Sequence, residues 1–451
     1  MGLNGKLSSA KLLTNISTIS SLNKTSMLKI AYYRNVFVTF FILLLPTFLQ
    51  AQVIQTNTKS NSVNYERLAK IDGIVNDYIA KSWLTGAVSI VIKDNQVVQY
   101  KGYGYADAAS KKPMKNDAIF RIMSQTKAIT SVGIMILYEQ GKLLLDEPIS
   151  DFIPEFKKPV VLDKFNDADT TYTTVPAKRE ITFRDLLTHT SGLDYADIGS
   201  TKVQAIYTKN NIPSGLGYFD ANLVERMSAL GKLPLSFQPG EKWQYGLNSD
   251  LLGALIEIIS GENLEDFLSK NIFQPLGMKD TYFNVPSSKA SRLATVYTED
   301  SLNHIIKWSH KFRHIDPDYP TMKKRYFSGG AGLSSTAFDY AVFLQMLLNG
   351  GKYNGHQILS KRTVEMMTSG QLKDGMFGDD NFGLGFEITS EKSEARGPRY
   401  AGSFAWGGYY GTTYWADPKA HLVCLFMTQQ SPNSHGDVET KFESIVYSSL
   451  K

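Results

Sequence analysis

The stretch FRIMSQTK, residues 120–127, decides how this sequence is interpreted. It contains a serine and a lysine three positions apart, Ser124 and Lys127, and it leads into an apolar run that predicts a buried helix over residues 128–138. Residues three apart share one face of a helix, so the lysine amine can reach the serine hydroxyl. Such a pairing can turn an inert alcohol into a nucleophile.

The S-x-x-K spacing occurs five times, and its position in the chain separates the five cases. Three begin in the extreme N-terminal segment, at Ser8, Ser21 and Ser26, and a fourth begins at Ser448 and ends on the C-terminal residue. Chain ends are usually the least ordered parts of a protein. Only Ser124 lies inside sequence that has the composition of a folded core.

The composition is that of an ordinary globular protein. The 451 residues are 43% hydrophobic and 20% charged, which is enough chain to bury a large core in one large domain or two closely packed ones. Residues 1–51 hold five lysine or arginine residues and no acidic residue, so they carry the whole net charge of +5. The remaining chain is neutral, which argues against nucleic acid as a partner.

Residues 1–51 have the pattern of a leader with an export signal. A positive segment at 27–34 precedes an apolar run of 14 residues at 36–49 and a small-residue junction at 50–52. A bilayer-spanning helix needs about 20 residues, so cleavage near residue 52 is favoured over a retained membrane anchor. Cys424 is the single cysteine, which excludes an internal disulfide. The sequence predicts a periplasmic or secreted bacterial protein, attached to a membrane only if the leader is retained.

Strand patterns at both ends of the remaining chain flank a helical middle. Residue patterns predict helices over 68–79, 251–259, 336–348 and 438–448, with Ser334 or Ser335 capping the third, and strands over 86–92, 97–100, 382–388, 411–416 and 422–428. A tight hairpin at Asp94-Asn95 is expected to join the first two strands. The fold class is therefore α+β. We expect one domain over 52–451, in which residues of about 60–118 and 380–451 build an antiparallel sheet flanked by helices and about 119–379 form an inserted, mainly helical region.

Set on this arrangement, Ser124-x-x-Lys127 resembles the serine β-lactamase and penicillin-binding-protein superfamily, in its class C-like branch. ITFRDLLTHTSGL at 181–193 resembles the LLTHTSGL block of that branch, and PGEKWQY at 239–245 is similar to the lead-in to its second motif, tyrosine-x-asparagine. GGAGLSS at 329–335 resembles a glycine-rich turn that precedes a helix there. The resemblance covers nearly all of residues 52–451 and implies a β-lactamase/transpeptidase-like fold.

Two departures from the family pattern bear on the substrate. Leu247 stands where the second motif has asparagine, and Asn248 follows one place later. Where β-lactamases carry lysine-threonine-glycine, this chain has Trp406-Gly407-Gly408, which looks like family VIII carboxylesterases. An indole offers apolar area and one N–H donor in place of a cation. Compared with family members that carry the lysine, we therefore expect this protein to prefer neutral esters over substrates that carry a carboxylate.

The resemblance assigns roles to these residues. Ser124 is the nucleophile, and its proton passes either to a neutral Lys127 or to a phenolate at Tyr245 that a charged Lys127 favours; the sequence leaves both open. Tyr245 returns a proton to the leaving group as general acid. Backbone N–H groups of Ser124 and Tyr409 form an oxyanion hole.

Further contacts to substrate are expected from the third motif and its surroundings. Trp406, Gly407 and Gly408 line the site, the glycines allow substrate to approach the strand, and Asn248 is a further candidate contact. Tyr195, Tyr207 and Tyr218 are candidates for shaping the pocket.

The sequence thus predicts an exported serine hydrolase that cleaves carboxylic esters through a Ser124 acyl-enzyme. One alternative is a β-lactamase or D-amino-acid peptidase, favoured if lysine or arginine side chains elsewhere supply the missing cation. An alternative of another class is a penicillin-binding sensor or pseudoenzyme that is acylated without turnover. The expected partner is a small-molecule ester, amide or β-lactam, with no organic cofactor and no metal, because the histidines lack metal-ligand spacing.

Overall fold

An eight-stranded antiparallel sheet is the centre of the computed structural model, which describes residues 53–56, 59–309 and 315–451. Gln52–Lys451 form one compact unit. The export leader predicted for residues 1–51, with its apolar segment at 36–49, lies outside the described residues.

The strands are β1 Gly86–Lys93, β2 Gln96–Asp107, β3 Lys112–Pro113, β4 Phe120–Arg121, β5 Val160–Phe165, β6 Tyr172–Pro176, β7 Tyr297–Glu299, β8 Ile305–Lys307, β9 Ser334–Ser335, β10 Lys352–Tyr353, β11 His356–Gln357, β12 Asn381–Phe382, β13 Glu387–Ile388, β14 Phe404–Gly408, β15 Thr412–Asp417 and β16 Leu422–Met427. The helices are α1 Tyr65–Leu68, α2 Lys70–Ala80, α3 Thr126–Glu139, α4 Phe183–Leu187, α5 Thr201–Lys209, α6 Leu223–Leu230, α7 Asn248–Ser260, α8 Leu264–Leu268, α9 Gln274–Leu276, α10 Ala337–Leu348, α11 Lys361–Met367, α12 Glu391–Glu394 and α13 Val438–Ser448.

The large sheet joins the two ends of the described chain. Its strand order is β12-β13-β14-β15-β16-β1-β2-β3, and β1 pairs antiparallel with both β16 and β2. Strands from the beginning and the end of the chain therefore lie side by side, and the segment between them packs as an insertion. This confirms the predicted α+β architecture with a sheet built from both ends.

Both faces of the sheet are covered by helices. Along β1, Val88 and Ile90 face the main core with the inserted helices, while Ala87 and Val91 face a second core with α2 and α13. This alternation is the period of two that a strand imposes, and because both faces are apolar nearly all of β1 is buried. The strand therefore forms the middle layer of a helix–sheet–helix sandwich.

The turn between β1 and β2 is the one that the sequence predicts. Asp94 and Asn95 both have positive φ, +52° and +61°. Two consecutive residues with positive φ make the type I′ turn that matches the twist of a two-residue hairpin, and aspartate and asparagine tolerate that backbone better than most residues.

Four local predictions differ from the structure. The segment 382–388 forms two short strands, β12 and β13, because Gly385 has φ +99° and turns the chain between them. The strand β14, Phe404–Gly408, is absent from the strands that the residue pattern predicts. The region 119–379 includes the hairpins β5–β6 and β7–β8 as well as helices.

The N-cap of α10 is Thr336, whose hydroxyl accepts from the Asp339 N–H. Ser334 and Ser335, the predicted caps, instead form β9 and pair with β4, directly before the turn that contains Ser124. In the part of the chain that the structure describes, every helix is too short or too polar to cross a bilayer.

Candidate active site

Ser124 lies in a single 3₁₀ turn, Met123–Gln125, between β4 and α3. Met123 has φ +48°, a backbone conformation that costs free energy for a residue with a side chain and that often marks a functional site. Burial of the Met123 side chain and a bond from the Tyr319 hydroxyl to its sulfur hold the turn in place. Ser124 itself stays half-buried at the start of an almost fully buried helix.

Lys127 is buried beneath Ser124, as the three-residue spacing predicts. Its Nζ lies 3.1 Å from Ser124 Oγ and donates to the Gly330 carbonyl at 2.7 Å. The same nitrogen lies 4.4 Å from the centroid of the Tyr245 ring. The lysine therefore contacts the nucleophile and the tyrosine face at once, and the glycine-rich turn at 329–332 fixes its position.

Tyr245 faces Trp406 across the site. The indole N–H of Trp406 donates to Tyr245 Oη at 3.2 Å, so the one donor of the indole binds the tyrosine oxygen. The Tyr245 ring also packs against Tyr195 and His189, with centroids 5.5 Å and 5.1 Å away.

Asn248 does not line the site, although the sequence made it a candidate for substrate binding. It is fully buried in the first turn of α7, where Ser191 Oγ donates to its side-chain oxygen and its amide lies 2.9 Å from His189 Nδ1. Burial and the nearby charge of Lys127 lower the pKa of His189 to about 3. The imidazole is therefore neutral, and its Nδ1 accepts from the Asn248 amide.

This network explains the LLTHTSGL block, to which sequence reasoning assigned no role. The Gln244 N–H donates to the His189 carbonyl at 2.8 Å, one residue before Tyr245. The Gly240 N–H donates to the Thr190 carbonyl at 2.7 Å. The block thus supports the segment 239–245 through these two backbone hydrogen bonds, and it thereby helps to position Tyr245.

The Trp406-Gly407-Gly408 segment lies at the end of β14, next to the catalytic turn. A Cβ on Gly408 would lie 2.4 Å from the Ile122 carbonyl oxygen, so the strand could not pack against the Ser124 turn with a larger residue. At Gly407 the nearest heavy atom to such a Cβ is 3.3 Å away, at the Thr412 carbonyl. Gly408 is therefore required for packing within the protein, and the approach of substrate that we predicted for both glycines is open mainly at Gly407.

These residues meet at a cavity of about 390 Å³. It is lined by Ser124, Tyr195, Ile198, Leu216, Tyr245, Glu387, Trp406, Gly407, Gly408 and Tyr409. All of the predicted site residues but two line this cavity. Lys127 lies behind Ser124 and contacts it, and Asn248 is buried in α7. Of the candidate tyrosines, Tyr195 lines this cavity, Tyr218 lines a neighbouring one, and Tyr207 is buried in the core and lines neither.

Sequence reasoning missed Ile198, Leu216 and Glu387 as lining residues, because they come from loops and a short strand with no motif. Glu387 is the one charged residue in the described lining, and its carboxylate lies 3.9 Å from the guanidinium of Arg399. No lysine or arginine lines this cavity among the described residues. Nor does any cluster of three or more histidine, cysteine or acidic side chains there form a set of metal ligands.

The fold and the site together define a protein of β-lactamase/transpeptidase-like architecture, with a serine, a lysine and a tyrosine at one cavity. The Beta-lactamase family model matches residues 71–445, and the chain belongs to that family.

Its relatives include ester- and peptide-directed proteins. Esterase EstB of Burkholderia gladioli is 29% identical over 80% of this chain and 90% of its own length. A putative D-alanyl-D-alanine carboxypeptidase of Escherichia coli K12 is 26% identical over 84% of this chain and 86% of its own. Among solved structures, EstCE1, described as a hydrolase with promiscuous acyltransferase activity, superposes with a TM-score of 0.74 at 26% identity, over 85% of this chain and 99% of its own.

Proposed function

We propose that this protein is a serine hydrolase that cleaves carboxylic esters through an acyl-enzyme on Ser124. The observation that carries the proposal is the contact of Ser124 Oγ with Lys127 Nζ at 3.1 Å, at a cavity that Tyr245 also lines. Attack by Oγ on the ester carbonyl forms the tetrahedral intermediate, its collapse releases the alcohol, and water then hydrolyses the acyl-enzyme. Backbone N–H groups of Ser124 and Tyr409 are the proposed oxyanion donors.

The charge of the cavity favours esters over substrates that carry a carboxylate. A β-lactam or a peptide C-terminus brings an anion that a cation would bind, and the described lining offers no lysine or arginine for it. Trp406 occupies the place of that cation, and its N–H is already bonded to Tyr245. The similarity to EstB and EstCE1 points the same way.

A β-lactamase or D-amino-acid peptidase is the second candidate. One observation favours it, namely the similarity over most of both chains to the putative D-alanyl-D-alanine carboxypeptidase of Escherichia coli. The missing cation in the cavity lining argues against it. An acylated sensor without turnover is the third candidate, and it would retain a covalent adduct that an enzyme clears.

The deciding experiment measures p-nitrophenyl butyrate hydrolysis by the wild type, Ser124→Ala and Ser288→Ala. Ser288 is exposed and outside the cavity lining, so its variant is the matched control. We expect turnover by the wild type and the control and a loss of at least about 10³-fold in Ser124→Ala. Equal, negligible rates in all three proteins would reject the esterase; nitrocefin, a D-alanyl-D-alanine peptide and a fluorescent penicillin would then separate the other candidates.

We also propose that residues 1–51 direct export to the periplasm or beyond. The proposal rests on the apolar run at 36–49 behind a positive segment. Cell fractionation and the N-terminal mass of the exported protein test it, with a mature start expected near residue 52. A full-length cytoplasmic product would reject export, and a full-length membrane-bound product would show a retained anchor.

A further inference from the structure

Asp250 is a buried carboxylate to which the proposed ester hydrolysis gives no role. It lies in the first turn of α7 with 1% of its surface exposed, and the hydroxyl groups of Tyr326 and Ser328 lie beside it. Burial raises the pKa of this carboxyl from 3.8 to about 6, so it is ionised at neutral pH. Burying an ionised group costs free energy unless a nearby charge compensates it.

The compensating charge lies across Gly330. A Cβ built on that glycine would be 2.6 Å from Asp250 Oδ2 and 3.5 Å from Lys127 Nζ, so the two groups border the same backbone atom. Attraction by Lys127 opposes the effect of burial on the pKa of Asp250. A glycine at 330 is what leaves room for this arrangement.

The other groups that face Asp250 are neutral. Tyr195, Tyr326 and Ser328 lie around the carboxylate, and burial raises the pKa of both tyrosines well above the usual value of 10. The Ser328 hydroxyl donates to the Gly215 carbonyl. Lys127 is thus the cation among the side chains that act on Asp250.

The cation of α6, Arg226, lines a different cavity. Leu223 of α6 and Leu264 of α8 contact α7 at Gly253 with their methyl groups. The charged residues of α4 are engaged elsewhere: Asp185 is paired with Arg179, and Arg184 is paired with Asp146.

We propose that Asp250 is a positioning residue that holds Lys127 as an ammonium ion beneath Ser124, so that Tyr245 is the group that exchanges the proton with the nucleophile. The inference rests on the proposed function, because it assigns the proton transfers within that reaction. It also decides between the two bases that the sequence left open.

The proton then moves in a closed cycle. A Tyr245 phenolate, stabilised by the ammonium of Lys127 and the N–H of Trp406, takes the proton of Ser124 as Oγ bonds to the ester carbonyl carbon. When the carbon–oxygen bond to the alcohol breaks, Tyr245 returns the proton to the leaving oxygen. In deacylation Tyr245 takes a proton from water, whose oxygen bonds to the acyl carbon, and gives it to Ser124 as that bond breaks.

Asp250→Asn tests the proposal, because it removes the charge and keeps the shape. Without the carboxylate the ammonium form of Lys127 loses its counter-charge, and kcat/KM for p-nitrophenyl butyrate at pH 7.5 should fall on the order of 10- to 100-fold. A rise in kcat/KM would overturn the proposal, because it would show that Lys127 works as a neutral base.

The same variant should gain thermal stability at pH 7.5. Since the pKa of Asp250 is higher in the folded protein than the ordinary 3.8, the folded state binds the proton more tightly, and the wild type loses stability as pH rises from about 4 through about 6. Asp250→Asn lacks this loss, so its Tm should exceed that of the wild type above pH 6, and the difference should shrink toward pH 4. A fall in both Tm and kcat/KM would indicate a merely structural role and overturn the proposal.

Asp339→Asn is the matched control. Asp339 is also a buried carboxyl with a pKa raised to about 6, but it accepts hydrogen bonds from the Asp280 N–H and the Thr281 hydroxyl and lies in the first turn of α10. Its variant should keep kcat/KM, whereas kcat/KM of Asp250→Asn should fall. An equal fall in kcat/KM in the two variants would overturn the proposal.

A second readout separates failure of this inference from failure of the esterase assignment. The rate at which a fluorophosphonate probe labels Ser124 reports the nucleophile without any ester turnover. If the wild type is labelled but hydrolyses no ester, the esterase proposal fails, and slower labelling of Asp250→Asn still supports the role of Asp250. Unchanged labelling in that variant overturns it.

Discussion

The two walls of the catalytic cavity differ in charge. The helical wall contains Ser124 with Lys127 buried behind it and, across Gly330, the buried carboxylate of Asp250. The sheet wall, from Trp406 to Tyr409, is neutral and largely aromatic. Lys127 and Asp250 are therefore placed where they can act on the proton of the nucleophile, whereas the sheet lines the cavity with one charged residue, Glu387, which lies near Arg399.

The difference teaches how one family can serve several substrates. The serine and the lysine are neighbours on one helix, so the attacking group is set by local geometry alone. The sheet wall comes from the far end of the chain, and in the proposed function its residue Trp406 presents an indole to the substrate in place of a cation. We expect substitutions in the helical wall to abolish hydrolysis and substitutions in the sheet wall to change which substrates are hydrolysed.

The largest effect after loss of the nucleophile is expected for Tyr245→Phe. This variant keeps the ring that contacts Lys127 and His189 and removes the oxygen that exchanges the proton, so kcat should fall about 10²- to 10⁴-fold. Steady-state hydrolysis of p-nitrophenyl butyrate measures it, with Tyr172→Phe, at an exposed tyrosine on β6, as the control. A kcat within threefold of the wild type would remove Tyr245 from the proton path.

Two variants of Trp406 sharpen the contrast between the walls. Trp406→Lys places a cation on the neutral wall, and the ratio of kcat/KM for a substrate that carries a carboxylate to that for a neutral ester should rise about 10- to 100-fold, since a hydrogen bond to a charged group contributes about 1.5–3 kcal/mol. The two substrates can be p-nitrophenyl hydrogen succinate and p-nitrophenyl butyrate. An unchanged ratio would show that the sheet wall does not select for charge.

Trp406→Phe keeps the apolar surface and removes only the indole N–H. The bond to Tyr245 Oη is lost, and a neutral hydrogen bond contributes about 0.5–1.5 kcal/mol, so kcat should fall by about 2- to 13-fold. The charge selectivity of the wild type should persist in this variant. A change of selectivity without a change of kcat would contradict the role we assign to the N–H.

The helical wall was more predictable from the sequence than the sheet wall, for a physical reason. Ser124 and Lys127 are related by helical periodicity, and the hairpin at Asp94-Asn95 and the helix α13 follow equally local rules. The strand β14 was missed because its two glycines lack the side chains that make an alternating pattern. Its place beside Ile122 depends on pairing with β15, which local sequence does not encode.

The same limit applies to the charges behind the site. Asp250 and Gly330 are far from Lys127 in the chain, and only the packing of α7 and of the 329–332 turn against α3 brings them together. Asn248 shows the opposite case, in which a residue close to the site in sequence does not line it. Its proximity to Tyr245 in sequence suggested a substrate contact, but the start of α7 directs its side chain to Ser191 and His189.

The smallest effect on activity is expected from Asn248→Ala, which tests the support behind Tyr245 without touching either wall. Removal of the amide leaves the Ser191 hydroxyl and His189 Nδ1 buried without their partner, and an unpaired buried polar group costs about 1–3 kcal/mol. The free energy of unfolding in urea should fall by about that amount, while Asn76→Ala, at an exposed position of α2, should change it by less than about 0.5 kcal/mol. Since His189 is neutral, with a pKa of about 3, the loss should be the same at every pH from 6 to 9. We expect kcat to fall only a few-fold, because Tyr245 keeps its oxygen and its bond to Trp406; a loss as large as that of Tyr245→Phe would mean that Asn248 acts in the reaction itself.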